Sequence, residues 1–192
     1  MDLLKLNLGS GPKRHEGFLN IDKEKYFHPD ILHDLETFPY PFENDQISEI
    51  KFHHVLEHLG QHPETFNKIM KEIFRICCNN ASIEILVPHH RHEYFFADPG
   101  HVRPITRLTF ELYDQEMNKI WQKEGDAFTP LGIINNINFK VVSERLIFDK
   151  FYKETKESKM REDISRYNNI VQEIHFELKV IKNNFHHNLP NF

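Results

Sequence analysis

The sequence predicts an α/β fold with a mostly parallel sheet, and three observations lead to it. Apolar segments with the length of buried strands stand at residues 3–8, 18–22, 30–33, 48–55 and 82–87. An amphipathic helix, residues 63–77, lies between the last two, and strand–helix–strand alternation is typical of parallel sheets. Near the C-terminus, residues 174–181 alternate between apolar and polar side chains, which predicts an antiparallel strand with one partly exposed face.

The helices follow from the spacing of apolar residues. The helix over 63–77 has Pro63 in its first turn and is expected to end at Asn79-Asn80. Its apolar face comprises Phe66, Ile69, Met70, Ile73, Phe74 and Cys77. A second helix is expected over 105–120, with three candidate core residues, Leu108, Leu112 and Met117.

Two further features complete the predicted architecture. A strand is expected over 139–148. Only about ten residues separate the first two strands, which is too few for a crossover helix with its loops. We therefore expect a turn there, with at most one helical turn.

Size and charge limit the classes of protein to which the chain can belong. Its 192 residues predict one domain, which we place at 1–182, followed by a poorly ordered tail at 183–192. The net charge of −5 argues against a general nucleic-acid binder. No apolar run approaches the ~20 residues of a membrane span and the N-terminus lacks a signal sequence, so a cytoplasmic protein is expected. The charged segment 153–163 is expected to form a solvated helix or loop.

The first predicted strand ends in a glycine-rich turn, Gly9-Ser10-Gly11, and the second ends in a carboxylate, Asp22. Glycines allow backbone amides to approach a ligand closely. An aspartate can accept hydrogen bonds from both hydroxyls of a ribose. Together these residues predict a nucleotide site at the carboxyl edge of the sheet.

The short motifs of the chain are more specific as an ordered set than any one of them is alone. Along the chain stand LNLGSG at 6–11, NID at 20–22, DL at 34–35, PF at 41–42, HVLEHL at 54–59 and VP at 87–88. This succession, over roughly residues 3–110, resembles class I S-adenosylmethionine-dependent methyltransferases, especially small bacterial members. The resemblance implies a Rossmann-like fold: a seven-stranded, mostly parallel sheet with an antiparallel C-terminal strand and helices on both faces. It also implies S-adenosylmethionine as the cofactor.

The resemblance further implies which residues hold the methionine end of the cofactor. Gly9 and Gly11 would wrap it, with the backbone of Ser10 presented between them. Asn7 stands where many relatives carry an acid that helps to hold the amino group, and an amide attracts an ammonium less strongly. The carbonyl of His53 would accept a hydrogen bond from that ammonium.

The nucleoside end is implied in the same way. Asp22 would accept from the ribose hydroxyls in a charge-assisted pair. Asp34 would accept from the adenine amino group, and the backbone amide of Leu35 would meet a ring nitrogen.

The segment 88–104 is expected to be a loop at the carboxyl edge of the sheet, and it carries the main catalytic candidate. When the acceptor is a hydroxyl, a histidine with a pKa near neutrality is the usual group to remove its proton. We expect His101 to be the general base or to orient the acceptor, with His54 as the second candidate. The alternative is that Asp98 and His101 only brace the loop.

No metal is expected. His54 and His58 are four residues apart and would share a helical face, as two metal ligands do, but the motif lacks a third ligand. The loop histidines His89, His90 and His92 are poorly spaced to converge. The adjacent pair Cys77-Cys78 cannot build a four-cysteine zinc site or a disulfide scaffold.

The leading interpretation is a methyltransferase that acts on a small-molecule or carbohydrate acceptor, at oxygen. Arg91 and Arg103 would hold an acidic acceptor, or would equally face solvent. Two alternatives stay open: a cofactor-binding or partner protein that has this fold but no turnover, and a zinc hydrolase that uses the histidine cluster. The sequence indicates neither the identity of the acceptor nor the oligomeric state.

Overall fold

A computed structural model describes residues 3–152 and 157–182, and its framework is a seven-stranded sheet. Strands β1 to β7 are Leu4–Leu8, Leu19–Asp22, Ile31–Leu32, Ile47–His53, Cys77–Pro88, Phe139–Phe148 and Val171–Val180. Their order across the sheet is β3-β2-β1-β4-β5-β7-β6. Strand β7 is antiparallel to both of its neighbours, and the other neighbouring pairs are parallel. The predicted fold class is therefore confirmed.

Helices surround the sheet. Within the described residues, α1 to α6 are Pro63–Ile76, Glu93–Ala97, Arg107–Glu111, Gln115–Glu124, Leu131–Asn135 and Glu157–Arg166. Short 3₁₀ turns occupy Lys25–Phe27, Leu56–His58 and Lys150–Tyr152. The connection between β1 and β2, residues 9–18, contains no helix, as its length predicts.

Aromatic contacts join α1 and α3 to one face of the sheet. Phe74 of α1 meets Phe139 of β6 edge-on, with ring centroids 5.8 Å apart. Phe110 of α3 meets Phe176 of β7 in the same way at 5.2 Å. Residues directly opposite on paired strands share a face, and the register of β6 and β7 puts Phe139 and Phe176 on the same one. The hydrophobic core therefore lies between this face and the helices.

The opposite face of the central strands carries charged side chains. Lys51 of β4 donates to Glu84 of β5 at 2.8 Å, and Nε2 of His53 lies 2.6 Å from the other carboxylate oxygen of Glu84. The ring of Phe18, in the 9–18 connection, lies under the ammonium groups of Lys5 and Lys51. A loop packs here because the short connection has no room for a crossover helix.

The helix expected over 105–120 is two helices, α3 and α4. The carboxylate of Asp114 accepts hydrogen bonds from the backbone N–H of Glu116 and Met117, at 2.8 and 3.3 Å, and so starts a new helix. The break changes which side chains are buried. The buried aromatic residues are Phe110, Tyr113 and Trp121, whereas the expected Leu108 is exposed and Leu112 and Met117 are half-buried.

The strand expected over 82–87 begins earlier, at Cys77, directly after α1. Asn79 and Asn80 therefore do not end the helix. They lie inside β5, where the register with β4 shifts and Asn80 has a φ of 63°. Cys77 is a buried strand residue, and both it and Cys78 are free thiols.

The remaining expectations concern the ends of elements. Strand β3 is shorter than the expected 30–33, and β7 begins three residues before 174. Part of the charged segment 153–163 belongs to α6, whereas residues 153–156 and the expected tail 183–192 lie outside the described residues. Within the part of the chain that is described, no helix combines the length and apolar character that crossing a bilayer requires.

Candidate functional site

The turn after β1 requires glycine at position 9. Gly9 has a φ of +64°, and a Cβ added there would stand 2.7 Å from both γ-carbons of Val55. Only glycine meets both conditions without strain. The turn lies where the strand order reverses, between the carboxyl ends of β1 and β4. Ligands of open α/β sheets bind at such switch points.

Asp22, at the end of β2, is tied to this turn. Its Oδ2 accepts from the N–H of Gly11 at 2.8 Å, and its Oδ1 accepts from the N–H of Glu24 at 2.8 Å. Each carboxylate oxygen keeps a further acceptor position. The side chain is therefore held in one orientation and can still accept from a ligand.

A cavity of about 310 Å³ opens at this edge of the sheet. Its lining comprises Gly9, Asp22, Lys23, His33, Asp34, Leu35, Glu36, His54, Val55, His58 and Leu59. Ligand pockets commonly have volumes of about 300–1,000 Å³. The structure thus brings together, in one cavity, the predicted site residues Gly9, Asp22, Asp34, Leu35 and His54.

Asn7 lies below the cavity and not in its lining. Its side chain is 2 % exposed. Its Nδ2 donates to the carbonyl of Lys13 at 2.8 Å and to Oδ1 of Asn20 at 2.9 Å. These bonds hold the 9–18 connection against β2, which gives Asn7 a supporting role in the turn.

Ser10, Gly11 and His53 also lie outside the lining. The N–H of Ser10 donates to the carbonyl of Ile21 at 3.0 Å, and the N–H of Gly11 donates to Asp22. Both amides are therefore occupied within the turn. The side chain of His53 points to the charged face of the sheet, and the role implied for its carbonyl stays a prediction.

The Asp34–Leu35 turn presents polar groups to the far side of the cavity. Oδ1 of Asp34 accepts from the N–H of Glu36 at 3.0 Å, which fixes the exposed carboxylate. The hydroxyl of Tyr40 donates to the carbonyl of Leu35 at 2.8 Å. Among the residues that the structure describes, the N–H of Leu35 has no hydrogen-bond acceptor. A free backbone donor beside a carboxylate matches a ligand edge that offers a donor next to an acceptor, as the amino group and the adjacent ring nitrogen of adenine do.

His54 stands on a sharp turn directly after β4, with a φ of 58°. Its Nε2 lies 3.3 Å from Oε1 of Glu173, and its Nδ1 lies 3.6 Å from Oε1 of Glu57. The carboxylates of Glu173 and Glu57 raise the pKa of His54 to about 9. His54 therefore carries its proton at neutral pH, which suits orientation of a ligand better than proton removal.

A more open hollow adjoins the cavity, and the two share His54 and His58. The rest of its lining is Tyr94, Ala97, Asp98, Pro99 and His101. Nδ1 of His101 lies 2.7 Å from the carbonyl oxygen of Phe95. A carbonyl oxygen only accepts, so Nδ1 carries the hydrogen and Nε2 has the free lone pair.

The loop that carries His101 is anchored on the main chain of Glu57. The N–H groups of Val102 and Arg103 both donate to the carbonyl of Glu57, at 2.9 and 3.2 Å. Oδ1 of Asp98 accepts from the N–H of Gly100 at 2.7 Å, so Asp98 braces the turn before His101. His101 also bonds within the loop, to the carbonyl of Phe95, and at the same time lines the hollow, so its role stays a prediction.

Arg91 and Arg103 hold the loop and do not line the cavity or the hollow. Arg91 donates to the carbonyl of Ile164 at 2.8 Å and so ties the loop to α6. Arg103 donates to the carbonyl of Gly60, and its guanidinium lies 4.4 Å from the ring centre of Phe66. The structure therefore shows both residues supporting the fold, which is neither of the two alternatives expected for them.

Glu57 belongs to a part of the site that was not predicted from the sequence. Within the described residues, the group of metal-binding side chains whose donor atoms converge is Glu57, His58 and His101. The loop histidines His89, His90 and His92 do not form such a group. The available signal was an acidic residue among the leucines of the HVLEHL run, since a carboxylate at a buried position usually has a specific partner.

Comparisons with solved structures show the fold. A SAM-dependent methyltransferase from Archaeoglobus fulgidus aligns with a TM-score of 0.62 at 14 % identity, over 92 % of this chain and 86 % of that chain. The chain has the class I methyltransferase fold. The YcgJ protein from Bacillus subtilis aligns at 0.54 and 11 % identity, over 95 % and 93 % of the two chains.

An S-adenosylmethionine-dependent methyltransferase from Mesorhizobium loti aligns with a TM-score of 0.50 at 13 % identity, over 92 % of this chain and 90 % of that chain. No protein-family model matches the sequence, and no curated protein matches it. At these identities the likeness concerns the fold, and the residues of the site have to support the activity.

Proposed function

We propose that this protein is an S-adenosylmethionine-dependent methyltransferase that acts on a small-molecule or carbohydrate acceptor, at oxygen. The observation that carries the proposal is the cavity at the switch point, bounded by Gly9, Asp22 and Leu35 and joined to a second hollow through His54 and His58. A methyl donor in the cavity and an acceptor in the hollow would meet at these two histidines. The methyltransferase fold supports this assignment.

The residues of the cavity fit the cofactor at three points. Gly9 lines the cavity with backbone alone, so that a ligand can approach its main chain closely. Asp22 can accept from the ribose hydroxyls, and Asp34 with the free N–H of Leu35 can pair with an adenine edge. S-adenosylmethionine would supply an electrophilic methyl group on a sulfonium. The enzyme would then have to align the acceptor, exclude water and take up a proton.

The acceptor would occupy the hollow on the other side of the shared histidines. His101 lines this hollow and is the residue proposed to act on the acceptor hydroxyl, by removing its proton or orienting it. His54, in its protonated form, would orient an acceptor oxygen. The net charge of −5 favours a small acceptor over a nucleic acid.

Calorimetry with S-adenosylhomocysteine tests the cofactor site. Asp22→Ala should lower the affinity by roughly 1.5–3 kcal/mol, the range for a lost charged hydrogen bond. Asp34→Ala should lower it less, because the Leu35 amide remains. Asp126→Ala, an exposed change in the loop after α4, is the matched control and should leave the affinity unchanged. Unchanged affinity in both Asp22→Ala and Asp34→Ala would overturn the site.

Turnover separates this proposal from a binding protein that has the same fold. The purified protein should release an adenosyl nucleoside that mass spectrometry detects. It should also transfer a labelled methyl group to a member of a panel of sugars, sugar acids and small hydroxylated molecules. Binding of S-adenosylhomocysteine without transfer to any of them would favour the protein without turnover.

A further inference from the structure

Three side chains from two distant segments converge beside the shared histidines. Glu57 and His58 come from the 3₁₀ turn after β4, and His101 comes from the loop after α2. Each offers one donor atom, and the three donors lie within 4.8 Å of one another. The spacing in the sequence pairs His58 with His54, whereas the fold brings His58 together with Glu57 and His101.

Glu57 is the most unusual member of this group. Its side chain is 1 % exposed, and within the described residues neither carboxylate oxygen has a hydrogen-bond partner. Nδ1 of His54 lies 3.6 Å and Nε2 of His101 lies 4.0 Å from Oε1 of Glu57, both beyond hydrogen-bond distance. A buried carboxylate without hydrogen bonds is strongly destabilising. A cation between these groups would remove that penalty.

The ring of His101 is oriented as in many metal-binding histidines, with one nitrogen held by a hydrogen bond and the other free. Its Nδ1–H donates to the carbonyl of Phe95, which fixes the ring and leaves Nε2 free on the side of Glu57. Histidines that bind metals commonly donate their other N–H to a carbonyl or carboxylate in this way. The anchoring of the loop on the main chain of Glu57 keeps the two donors together.

We propose that Glu57, His58 and His101 bind a divalent transition-metal ion, with Zn²⁺ as the best match. Two imidazoles and one carboxylate are a ligand set typical of catalytic zinc, whereas Mg²⁺ and Ca²⁺ prefer oxygen ligands alone. Ligand distances of about 2.0 Å put donors on a tetrahedral ion roughly 3.3 Å apart. The 4.0 Å between Nε2 of His101 and Oε1 of Glu57 requires only a small closure. The exposed ring of His58 already meets the ring of His101 edge-on, with centroids 4.5 Å apart.

The fourth coordination position would face the hollow, where it would take the acceptor oxygen. This catalytic use rests on the proposed function, whereas binding of the ion does not. An acceptor hydroxyl on the ion would lose its proton to solvent at a lower pH. Its oxygen would then bond to the methyl carbon while the carbon–sulfur bond breaks and leaves its electron pair on sulfur. His101 would serve such a reaction as a ligand of the ion.

The test is titration of the full-length, chelator-treated protein with Co²⁺ and with Zn²⁺, without cofactor or acceptor. One equivalent of Co²⁺ should bind and give the visible absorption of a site with nitrogen and oxygen ligands. Glu57→Gln, His58→Ala and His101→Ala should each weaken binding by about 100-fold or more. His62→Ala and His90→Ala, which alter histidines outside the group, should leave it unchanged. The adjacent His186 and His187 of the tail are replaced by alanine in every protein compared.

Thermal unfolding gives a second readout that a purely structural role would not produce. Without metal, Glu57→Gln should unfold at a temperature equal to or higher than that of the wild type, since it removes a buried charge that makes no hydrogen bond. With Zn²⁺, the wild type should gain stability and Glu57→Gln should not. Equal binding by the wild type and all three variants, or no stoichiometric binding by the wild type, would overturn the proposal. Binding of S-adenosylhomocysteine by the metal-free protein reports separately on the proposed function.

Discussion

The rings of His89 and His90 are stacked, with centroids 4.3 Å apart and an interplanar angle of 28°. Both follow directly after β5, and Nδ1 of His89 accepts from the N–H of Arg91 at 3.1 Å. Burial, with the charges of His90, Arg91 and His92 as further causes, lowers the pKa of His89 to about 4. The loop between β5 and the hollow therefore begins with a histidine, His89, that is neutral at physiological pH.

This arrangement predicts a loss of stability in mild acid. The unfolded chain binds a proton at His89 near pH 6.5, whereas the folded chain does so only near pH 4. Stability from this source is full above pH 6.5, falls as the pH drops between those values, and levels off below pH 4. Denaturant unfolding across this window should show a weaker pH dependence for His89→Asn, which keeps an acceptor for Arg91. His62→Asn, at an exposed position, should retain the wild-type dependence.

Gly9 is predicted to be intolerant of alanine for two separable reasons. Gly9→Ala has to adopt a positive φ and also contact Val55, whereas Gly17→Ala, at a φ of +78°, meets nothing within 4 Å. The backbone penalty is about 1–2 kcal/mol at each site. Overpacking should add about 1–3 kcal/mol at Gly9 alone. Urea unfolding of both variants measures the difference, and Val55→Ala should relieve only the packing part in the double variant. Equal destabilisation at positions 9 and 17 would contradict the contact.

His101→Ala is predicted to separate turnover from cofactor binding. His101 lines the hollow and not the cavity, so the affinity for S-adenosylhomocysteine should stay close to that of the wild type. Turnover with the acceptor found in the methyl-transfer screen should fall by about 10²–10⁴-fold, the usual contribution of a positioned acid or base. A parallel loss of cofactor affinity would mean that His101 is mainly a structural brace.

Arg91→Lys is predicted to weaken the fold without weakening ligand binding. The lysine cannot reproduce the bonds of the guanidinium to the Ile164 carbonyl and to Oδ1 of Asn168. Stability should fall by roughly 1–3 kcal/mol, as for hydrogen bonds of a charged group. Arg107→Lys, which affects the surface pairs of Arg107 with Glu111 and Glu144, is the control and should change stability by less than about 0.5 kcal/mol. A rise in the acceptor KM of Arg91→Lys at unchanged stability would instead indicate a binding role.

The strands could be predicted because short apolar segments carry their own signal. The break between α3 and α4 could not be predicted, since apolar residues recur on both sides of it. Only Asp114, whose carboxylate caps the start of α4, indicates where the second helix begins. In the site, Asp22 and Asp34 were predictable from their positions at strand ends. The roles of Glu57 and Arg91 were not, because each depends on a partner far away in the sequence.

The main-chain oxygen of Glu57 accepts hydrogen bonds from two amides of the loop that carries His101, while its side chain lies beside the donor atoms of His58 and His101. Glu57 therefore anchors the loop through its main chain and contributes its side chain to the group that the loop covers. The loop cannot move outward without breaking the hydrogen bonds of Val102 and Arg103 to Glu57 and displacing His101 from the hollow. A ligand therefore has to reach the hollow from its solvent side, with the loop in place. The amide hydrogens of Val102 and Arg103 should exchange with water only when the loop itself opens.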